Sequence, residues 1–146
     1  MSDFRQLSET FWASPQITAS DVALAAEQGI RLIVNNRPDG ESDDQTAGSV
    51  IAEAAMNAGL AYVAIPITHA GFSEPQVEQL GAALKEYEGP VLAYCRSGTR
   101  STLLWSLMQA QMGAEPDAIA RAASVAGYDV SPVRPAMDMF AARAKG

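Results

Sequence analysis

Apolar and polar residues alternate in blocks along this chain, and their spacing predicts strands separated by helices. Short apolar runs predict buried strands, whereas longer segments with apolar residues three and four positions apart predict helices. The predicted strands lie at 30–34, 60–67 and 91–94, after a strand or hairpin within 4–17. The predicted helices cover 18–28, 46–58, 75–87, 116–126 and 135–144, and another helix follows residues 95–101 and ends near 112.

Local signals mark several of these boundaries. Thr18 and Asp21 have the spacing of a capping box at the start of the first helix. Gly29 and Gly59 stand where the first two helices should stop. Residues 35–45 are polar and contain proline and glycine, which predicts a loop between the first long strand and the second helix.

This order of elements predicts an α/β fold. The strands are apolar on both faces, which is typical of a parallel sheet covered by helices. We therefore expect one domain over residues 1–146, with three layers and a central, mainly parallel sheet flanked by helices. Ligands of such folds bind beyond the carboxyl ends of the strands, and Cys95 follows the predicted strand 91–94.

Composition limits which cellular compartment and which binding partners we expect. The single cysteine among 146 residues excludes an intramolecular disulfide and a second cysteine that could resolve an oxidised sulfur. A polar start and the lack of a long apolar span predict a cytoplasmic protein. The net charge of −7 disfavours nucleic acids and anionic membranes as partners. We expect a small phosphorylated or sulfur-bearing substrate, or a phosphoprotein, and no metal or cofactor.

The segment 90–101 carries the strongest functional signal. It predicts a strand, a turn and a helix, so that the turn amides and the first helical turn favour an anion above Cys95. Arg96 and Arg100 add two positive charges beside the sulfur. These charges favour the thiolate over the thiol, which would activate Cys95 as a nucleophile.

The other residues of the turn suit the same role. Gly98 permits a left-handed backbone, and Ser101 is a candidate donor to the thiolate or to a leaving group. Ser97 and Thr99 complete the candidate anion-binding turn. A lone cysteine after an apolar strand is usually a small buried residue, but an inert cysteine needs neither flanking arginines nor such a turn. The sequence therefore favours a reactive Cys95.

Four blocks of residues share their order and spacing with a known family. They are SPQI at 14–17, GI at 29–30 with VNNRPDGE at 34–41, GLAYVAIP at 59–66 and GPVLAYCRSGTRS at 89–101. These blocks resemble the cysteine-dependent protein phosphatase superfamily in its dual-specificity-like branch. They are most similar to the bacterial beta-lactamase-hydrolase-like, phosphatase-like domain family. The resemblance implies a dual-specificity-phosphatase-like fold, with Cys95 as the nucleophile and Arg100 as a phosphate ligand.

The loop departs from the superfamily at two points. Its phosphatases usually have five residues between the cysteine and the arginine, and a histidine before the cysteine. This chain has four residues between Cys95 and Arg100, and Tyr94 stands in the place of the histidine. The shorter loop suits a terminal sulfur better than a phosphate. The string CRSGTRS is equally similar to single-domain rhodanese sulfurtransferases, although no rhodanese feature explains VNNRPDGE.

The general acid of the superfamily is also missing. In dual-specificity phosphatases, an aspartate in the loop after the strand matching 61–65 protonates the leaving oxygen. Here the loop 66–74 has no aspartate, so the single histidine, His69, is the first candidate and Glu74 the second. A lone loop histidine is more often a solvated surface residue than a catalyst, and that interpretation stays open.

The polar loop after the first long strand contains further candidates. The resemblance suggests Arg37 and Gln16 as cleft residues that contact substrate, while an ion pair or a turn cap explains Arg37 equally well. Glu41, Asp43 and Asp44 form an acidic patch. Because their spacing matches no familiar metal site, we interpret the patch as a solvated loop.

Three functions from different classes fit these residues. The first is a phosphatase-like hydrolase, in which Cys95 attacks phosphorus and forms a cysteinyl phosphate. The second is a rhodanese-type sulfurtransferase, in which Cys95 carries a persulfide to an external thiol. The third is a non-catalytic module that keeps the anion-binding loop without the acid. The N-terminal blocks favour the hydrolase, and the loop length favours the sulfurtransferase.

Overall fold

The centre of the fold is a five-stranded sheet in the computed structural model, which describes residues 2–146. The strands are β1 (Arg5–Ser8), β2 (Phe11–Ser14), β3 (Leu32–Asn35), β4 (Ala61–Ala64) and β5 (Val91–Tyr94). Their order across the sheet is β1-β2-β5-β3-β4. Only β1 runs antiparallel to its neighbour, and the other pairs are parallel. The predicted mainly parallel sheet is confirmed, with the N-terminal hairpin as its antiparallel edge.

Helices cover both faces of the sheet. They are α1 (Ala19–Glu27), α2 (Gly48–Asn57), α3 (Glu74–Glu86), α4 (Thr99–Gln111), α5 (Pro116–Val125) and α6 (Arg134–Lys145), with a 3-10 turn at Ser131–Val133. Buried residues of α1 and α2 share one apolar cluster with the sheet, and those of α3 to α6 share the other. The three-layer α/β architecture is therefore confirmed.

The central helix of the larger layer is α4, which is buried along most of its length. It packs against α3, α5 and α6 as well as against the sheet, so apolar residues on nearly every side lose contact with water. Two of its three buried hydroxyls are satisfied locally, since Thr102 Oγ1 donates to the Gly98 carbonyl and Ser106 Oγ to the Thr102 carbonyl. A helix enclosed in this way is a rigid support for the residues at its N-terminus.

The boundaries of the elements follow local hydrogen bonding. The capping box at α1 is confirmed, because the Asp21 carboxylate accepts from the Thr18 N–H at 2.8 Å and Thr18 Oγ1 accepts from the Asp21 N–H at 3.3 Å. The strand expected over 60–67 ends earlier, at Ala64. Pairing with β3 becomes irregular beyond it, because the Ile65 N–H donates to the Asn35 carbonyl at 2.9 Å and the Ile67 N–H donates to the very next carbonyl, that of Asn36, at 3.0 Å.

No helix within residues 2–146 has both the length and the apolar character needed to cross a membrane.

Candidate active site

Cys95 follows β5, and its sulfur faces the turn that leads into α4. The Gly98 N–H donates to Cys95 Sγ at 3.1 Å, so the sulfur faces the loop backbone. Gly98 has a φ of 93°, in the left-handed region. A side chain at this position would be strained and would also collide with the Tyr128 hydroxyl. Glycine therefore serves both the backbone conformation and the close approach of Tyr128.

Tyr128 supports the turn from the side of α5. Its hydroxyl donates to the Ser97 carbonyl oxygen at 3.1 Å, and the Arg5 guanidinium lies 5.1 Å from the centre of its ring. Within the turn, the Thr99 N–H and the Ser97 hydroxyl pair locally, with Thr99 N to Ser97 Oγ at 3.3 Å. The Gly98 N–H, and not the Thr99 N–H, is therefore the donor to the sulfur.

Strand β2 and the residues after it hold the opposite side of the loop. The Gln16 N–H donates to the Arg96 carbonyl at 3.2 Å, and the Cys95 N–H donates to the Ser14 carbonyl at 3.3 Å. These bonds continue the parallel pairing of β2 with β5 beyond the end of the strands. The loop is thus held from two sides, by the residues at the end of β2 and by Tyr128, as a preorganised anion site requires.

Arg100 lies in the first turn of α4 and reaches across to two other loops. Its guanidinium forms a bidentate ion pair with Glu41, with N···O distances of 2.7 and 2.8 Å. It also donates to the Ile67 carbonyl at 2.9 Å. The hydrogen bonds to Glu41 raise the pKa of Arg100, and the nearby Cys95 side chain adds to this effect while partial burial opposes it.

Glu41 is the centre of an ion-pair network. Besides Arg100, its carboxylate accepts from Arg37 Nε at 3.0 Å. Arg37 is only 4% exposed, and its other nitrogens donate to Gln16 Oε1 at 2.9 Å and to Ser42 Oγ at 3.2 Å. The hydrogen bonds from Arg100, followed by those from Arg37, lower the pKa of Glu41 to about 2, against the opposing effect of burial. Glu41 is thus held by two guanidinium groups within a loop that is exposed at Asp43 and Asp44, as the sequence predicts.

A cavity of about 320 Å³ opens beside the loop. Its wall is formed by Glu41, Thr68, His69, Arg96 and Arg100. His69 and Arg96 are exposed, so the candidate acid and the loop cation reach the same opening as the Arg100 guanidinium. Cys95 itself is fully buried and does not form part of the cavity wall.

Sequence comparison identifies the family of this domain. Residues 3–112 match the family model of the beta-lactamase hydrolase-like protein, phosphatase-like domain. The chain belongs to this family. A beta-lactamase hydrolase-like protein from Xylella fastidiosa (strain Temecula1) is 34% identical over 103 residues, which are 70% of this chain and 24% of that protein. The chain thus matches about a quarter of the length of this relative.

Solved structures agree with the family assignment. A proposed phosphatase from Neisseria meningitidis Z2491 superposes with a TM-score of 0.82 and 35% identity, covering 93% of this chain and 96% of that one. The structure of Tk-PTP has a TM-score of 0.73, covers 97% of each chain and is 14% identical, which shows the shared fold alone. The expected dual-specificity-phosphatase-like fold is therefore confirmed for this member of the family.

Ser101 does not contact the sulfur in this family member. It is buried, and its hydroxyl donates to Asn36 Oδ1 at 2.8 Å. Asn36 Nδ2 donates to the Ile65 carbonyl at 2.9 Å, which fixes the amide so that its oxygen faces Ser101. The expected donation from Ser101 to the thiolate is corrected: its one proton is used to join α4 to the ends of β3 and β4.

Arg37 and Gln16 contact each other and lie outside the cavity beside the loop. Neither lines the cavity beside the loop, and both side chains are engaged with protein partners. Of the two interpretations of Arg37, the structure favours the ion pair, because Arg37 lies behind Glu41. Arg37 and, through it, Gln16 support the Glu41 carboxylate. Arg37 also lines a neighbouring cavity of about 420 Å³, and contact of either residue with substrate stays a prediction.

Tyr94 has no catalytic partner in the position where the superfamily has a histidine. The side chain is buried in the apolar cluster under α1 and α2, and its hydroxyl has no hydrogen-bond partner within residues 2–146. Burial raises the pKa of Tyr94 well above its ordinary value, with Tyr62 and Asp39 adding to the shift. This residue supports the sheet and does not face the loop cavity.

Three residues of the site escaped sequence reasoning. Asn36 and Tyr128 carry no local signal, because their partners lie 65 and 31 residues away. Glu41 did carry one: it stands four residues after Arg37, a spacing that permits an ion pair.

The Glu41 network should make stability sensitive to acid. Its pKa is lowered from 4.5 to about 2 on folding, so the carboxylate stabilises the fold above pH 4.5 and loses this effect as the pH falls towards 2. Urea unfolding of wild type and Glu41→Gln should show a stability difference that shrinks over this window. A difference that stayed constant down to pH 2 would contradict the assignment.

Proposed function

We propose that this domain is a cysteine-dependent, phosphatase-like hydrolase that cleaves a phosphate monoester through a cysteinyl-phosphate intermediate. The observation that carries the proposal is the turn itself. Cys95 Sγ accepts a backbone N–H at 3.1 Å, and Arg100 lies in the first turn of the helix that follows. A nucleophilic sulfur, a backbone donor and a guanidinium on one turn are the parts that phosphoryl transfer to cysteine needs.

The proposed reaction has two steps. The Cys95 thiolate attacks phosphorus, the bond from phosphorus to the ester oxygen breaks, and His69 gives that oxygen its proton. Water then adds to the phosphorus, the S–P bond breaks, and inorganic phosphate and the thiolate are released. Arg100 and Arg96 hold the non-bridging oxygens in both steps, while the Gly98 N–H donates to the sulfur. Cys95 is fully buried, so the reaction requires access from the cavity to the sulfur.

The substrate proposed is small, or is a phosphorylated side chain of a protein. The cavity of about 320 Å³ accommodates a phosphate with part of its leaving group. A neighbouring cavity of about 420 Å³ shares Thr68 with it, so a larger leaving group has room to extend. With a net charge of −7, the chain repels polyanions, and we propose neither nucleic acids nor membranes as partners.

A specific observation favours a second candidate, sulfur transfer. The loop has four residues between Cys95 and Arg100, and no aspartate lies between Pro66 and Glu74 to protonate an oxygen. Attack of the Cys95 thiolate on the outer sulfur of thiosulfate would release sulfite and leave a persulfide. Attack by cyanide would then form thiocyanate and restore the thiolate, with no protonated leaving group at either step.

Parallel rate measurements on the purified chain test the proposal. We expect hydrolysis of an aryl phosphate that Cys95→Ser abolishes, because serine has no comparable thiolate. In the matched assay, thiosulfate and cyanide should react more slowly than the ester. A thiosulfate reaction that is faster, and is also abolished by Cys95→Ser, would replace the hydrolase with the sulfurtransferase.

A further inference from the structure

Arg100 commits only part of its guanidinium to protein partners. A guanidinium has five N–H groups in fixed directions. Nη1 donates to Glu41 Oε2 at 2.7 Å and to the Ile67 carbonyl at 2.9 Å, and Nη2 donates to Glu41 Oε1 at 2.8 Å. Both N–H groups of Nη1 and one of Nη2 are thereby used.

The two remaining donors of Arg100 lie along one edge. The Nε–H and the second Nη2–H of a guanidinium are parallel, and their spacing matches two oxygens of a phosphate. Glu41 binds the end of the guanidinium formed by Nη1 and Nη2, so it leaves this second edge unblocked. Glu41 and an oxyanion can therefore bind Arg100 at the same time.

The Glu41 carboxylate is itself held from behind. Arg37 Nε binds it at 3.0 Å, and the Arg37 side chain is 4% exposed with further bonds to Gln16 and Ser42. Moving the carboxylate would leave the buried Arg37 charge without its partner, which is costly in a protein interior. Glu41 is thus a fixed point of attachment for Arg100 and not a mobile side chain of the loop.

We propose that Glu41 is a positioning residue, which holds the end of the Arg100 guanidinium so that its Nε–Nη2 edge is presented to an oxyanion at the Cys95 loop. The inference rests on the proposed function for the role of Arg100 in anion binding. It opposes the simple alternative that Glu41 competes with substrate for the same guanidinium, which would make this carboxylate an inhibitor.

Anion affinity distinguishes positioning from competition. We expect Glu41→Gln to weaken binding of inorganic phosphate about tenfold in calorimetric titration of the full chain, since a freed guanidinium loses its orientation. The matched control is Glu115→Gln, which breaks an exposed ion pair with Lys145 at 3.0 Å and should leave the affinity unchanged. Tighter phosphate binding by Glu41→Gln would overturn the proposal in favour of competition.

A double-mutant cycle separates positioning of Arg100 from general support of the fold. If Glu41 acts through the two-pronged guanidinium, Glu41→Gln should cost almost nothing in the Arg100→Lys background. The same tenfold loss in both backgrounds would overturn the proposal. Glu41→Asp gives a second test, because it keeps the charge but is too short for the bidentate contact, and full affinity in this variant would also count against positioning.

These binding measurements are independent of turnover. A chain that binds phosphate in a Glu41-dependent manner but hydrolyses no ester would remove the proposed function and leave the positioning role standing. If the chain hydrolyses the ester and Glu41→Gln leaves the phosphate affinity unchanged, the positioning role is removed and the proposed function stands.

Discussion

Replacing Arg100 with lysine should lower kcat/KM for an aryl phosphate by about 10²–10³-fold, although the positive charge is kept. Lysine has no parallel N–H pair, so it cannot hold two oxygens of the transition state and also bind Glu41 at both carboxylate oxygens. Steady-state kinetics would measure the loss. Arg100→Ala should be at least as damaging, because it also leaves the Glu41 carboxylate with one cation fewer.

Arg134 provides the matched control for this substitution. Its guanidinium contacts Asp117 at 2.7 Å and Asp138 at 3.0 Å on the surface of the α5 and α6 layer. Arg134→Lys should therefore leave kcat/KM unchanged, since these exposed pairs lie outside the site. If Arg100→Lys retained wild-type kinetics, point charge alone would suffice at the loop, and the argument from guanidinium geometry would fail.

Sequence reasoning predicts the part of this fold that rests on local chemistry. The capping box at Thr18 and Asp21 and the glycine at 98 are satisfied within a few residues, so their spacing in the chain is enough to infer them. The sheet can also be predicted from the sequence, because apolar runs separated by helices leave few arrangements other than a parallel sheet. The position of Cys95 at a strand end follows directly from that arrangement.

The rest of the site depends on contacts between distant segments. The pairing of Arg100 with Glu41 spans 59 residues, and no periodicity of the sequence indicates which of the acidic side chains at 41, 43 and 44 turns inward. That choice is made by Arg37, whose burial requires a nearby carboxylate. The hydrogen-bond partner of Ser101 could not be predicted for the same reason, since Asn36 comes from the end of another strand.

The loop around His69 is the element whose chemistry distinguishes the two candidate reactions. His69 is exposed, and it lines the cavity together with Arg96 and Arg100. A proton donor at this position would matter only when the leaving oxygen is basic. Sulfur transfer from thiosulfate releases sulfite, which leaves without protonation, so it should not depend on His69.

His69→Ala should slow hydrolysis of alkyl phosphates by about 10²–10⁴-fold, the usual contribution of a general acid. Aryl phosphates should be affected far less, because a phenolate of low basicity leaves without a proton. Measuring kcat/KM for a matched alkyl and aryl ester in wild type and variant gives the contrast directly. His69→Gln is the control for shape and hydrogen bonding, and it should behave like alanine because glutamine has no titratable proton.

Three patterns of result lead to three different conclusions. A selective loss with alkyl esters supports His69 as the acid of a working phosphatase. An equal loss with both ester classes removes His69 from that role and indicates that it binds the phosphate instead. If neither ester depends on His69, and Cys95 gains the mass of one sulfur atom after thiosulfate and loses it to an added thiol, the buried cysteine is a sulfur carrier. The hydrolase would then be the wrong assignment, because the same turn would be stabilising a persulfide rather than a phosphoryl group.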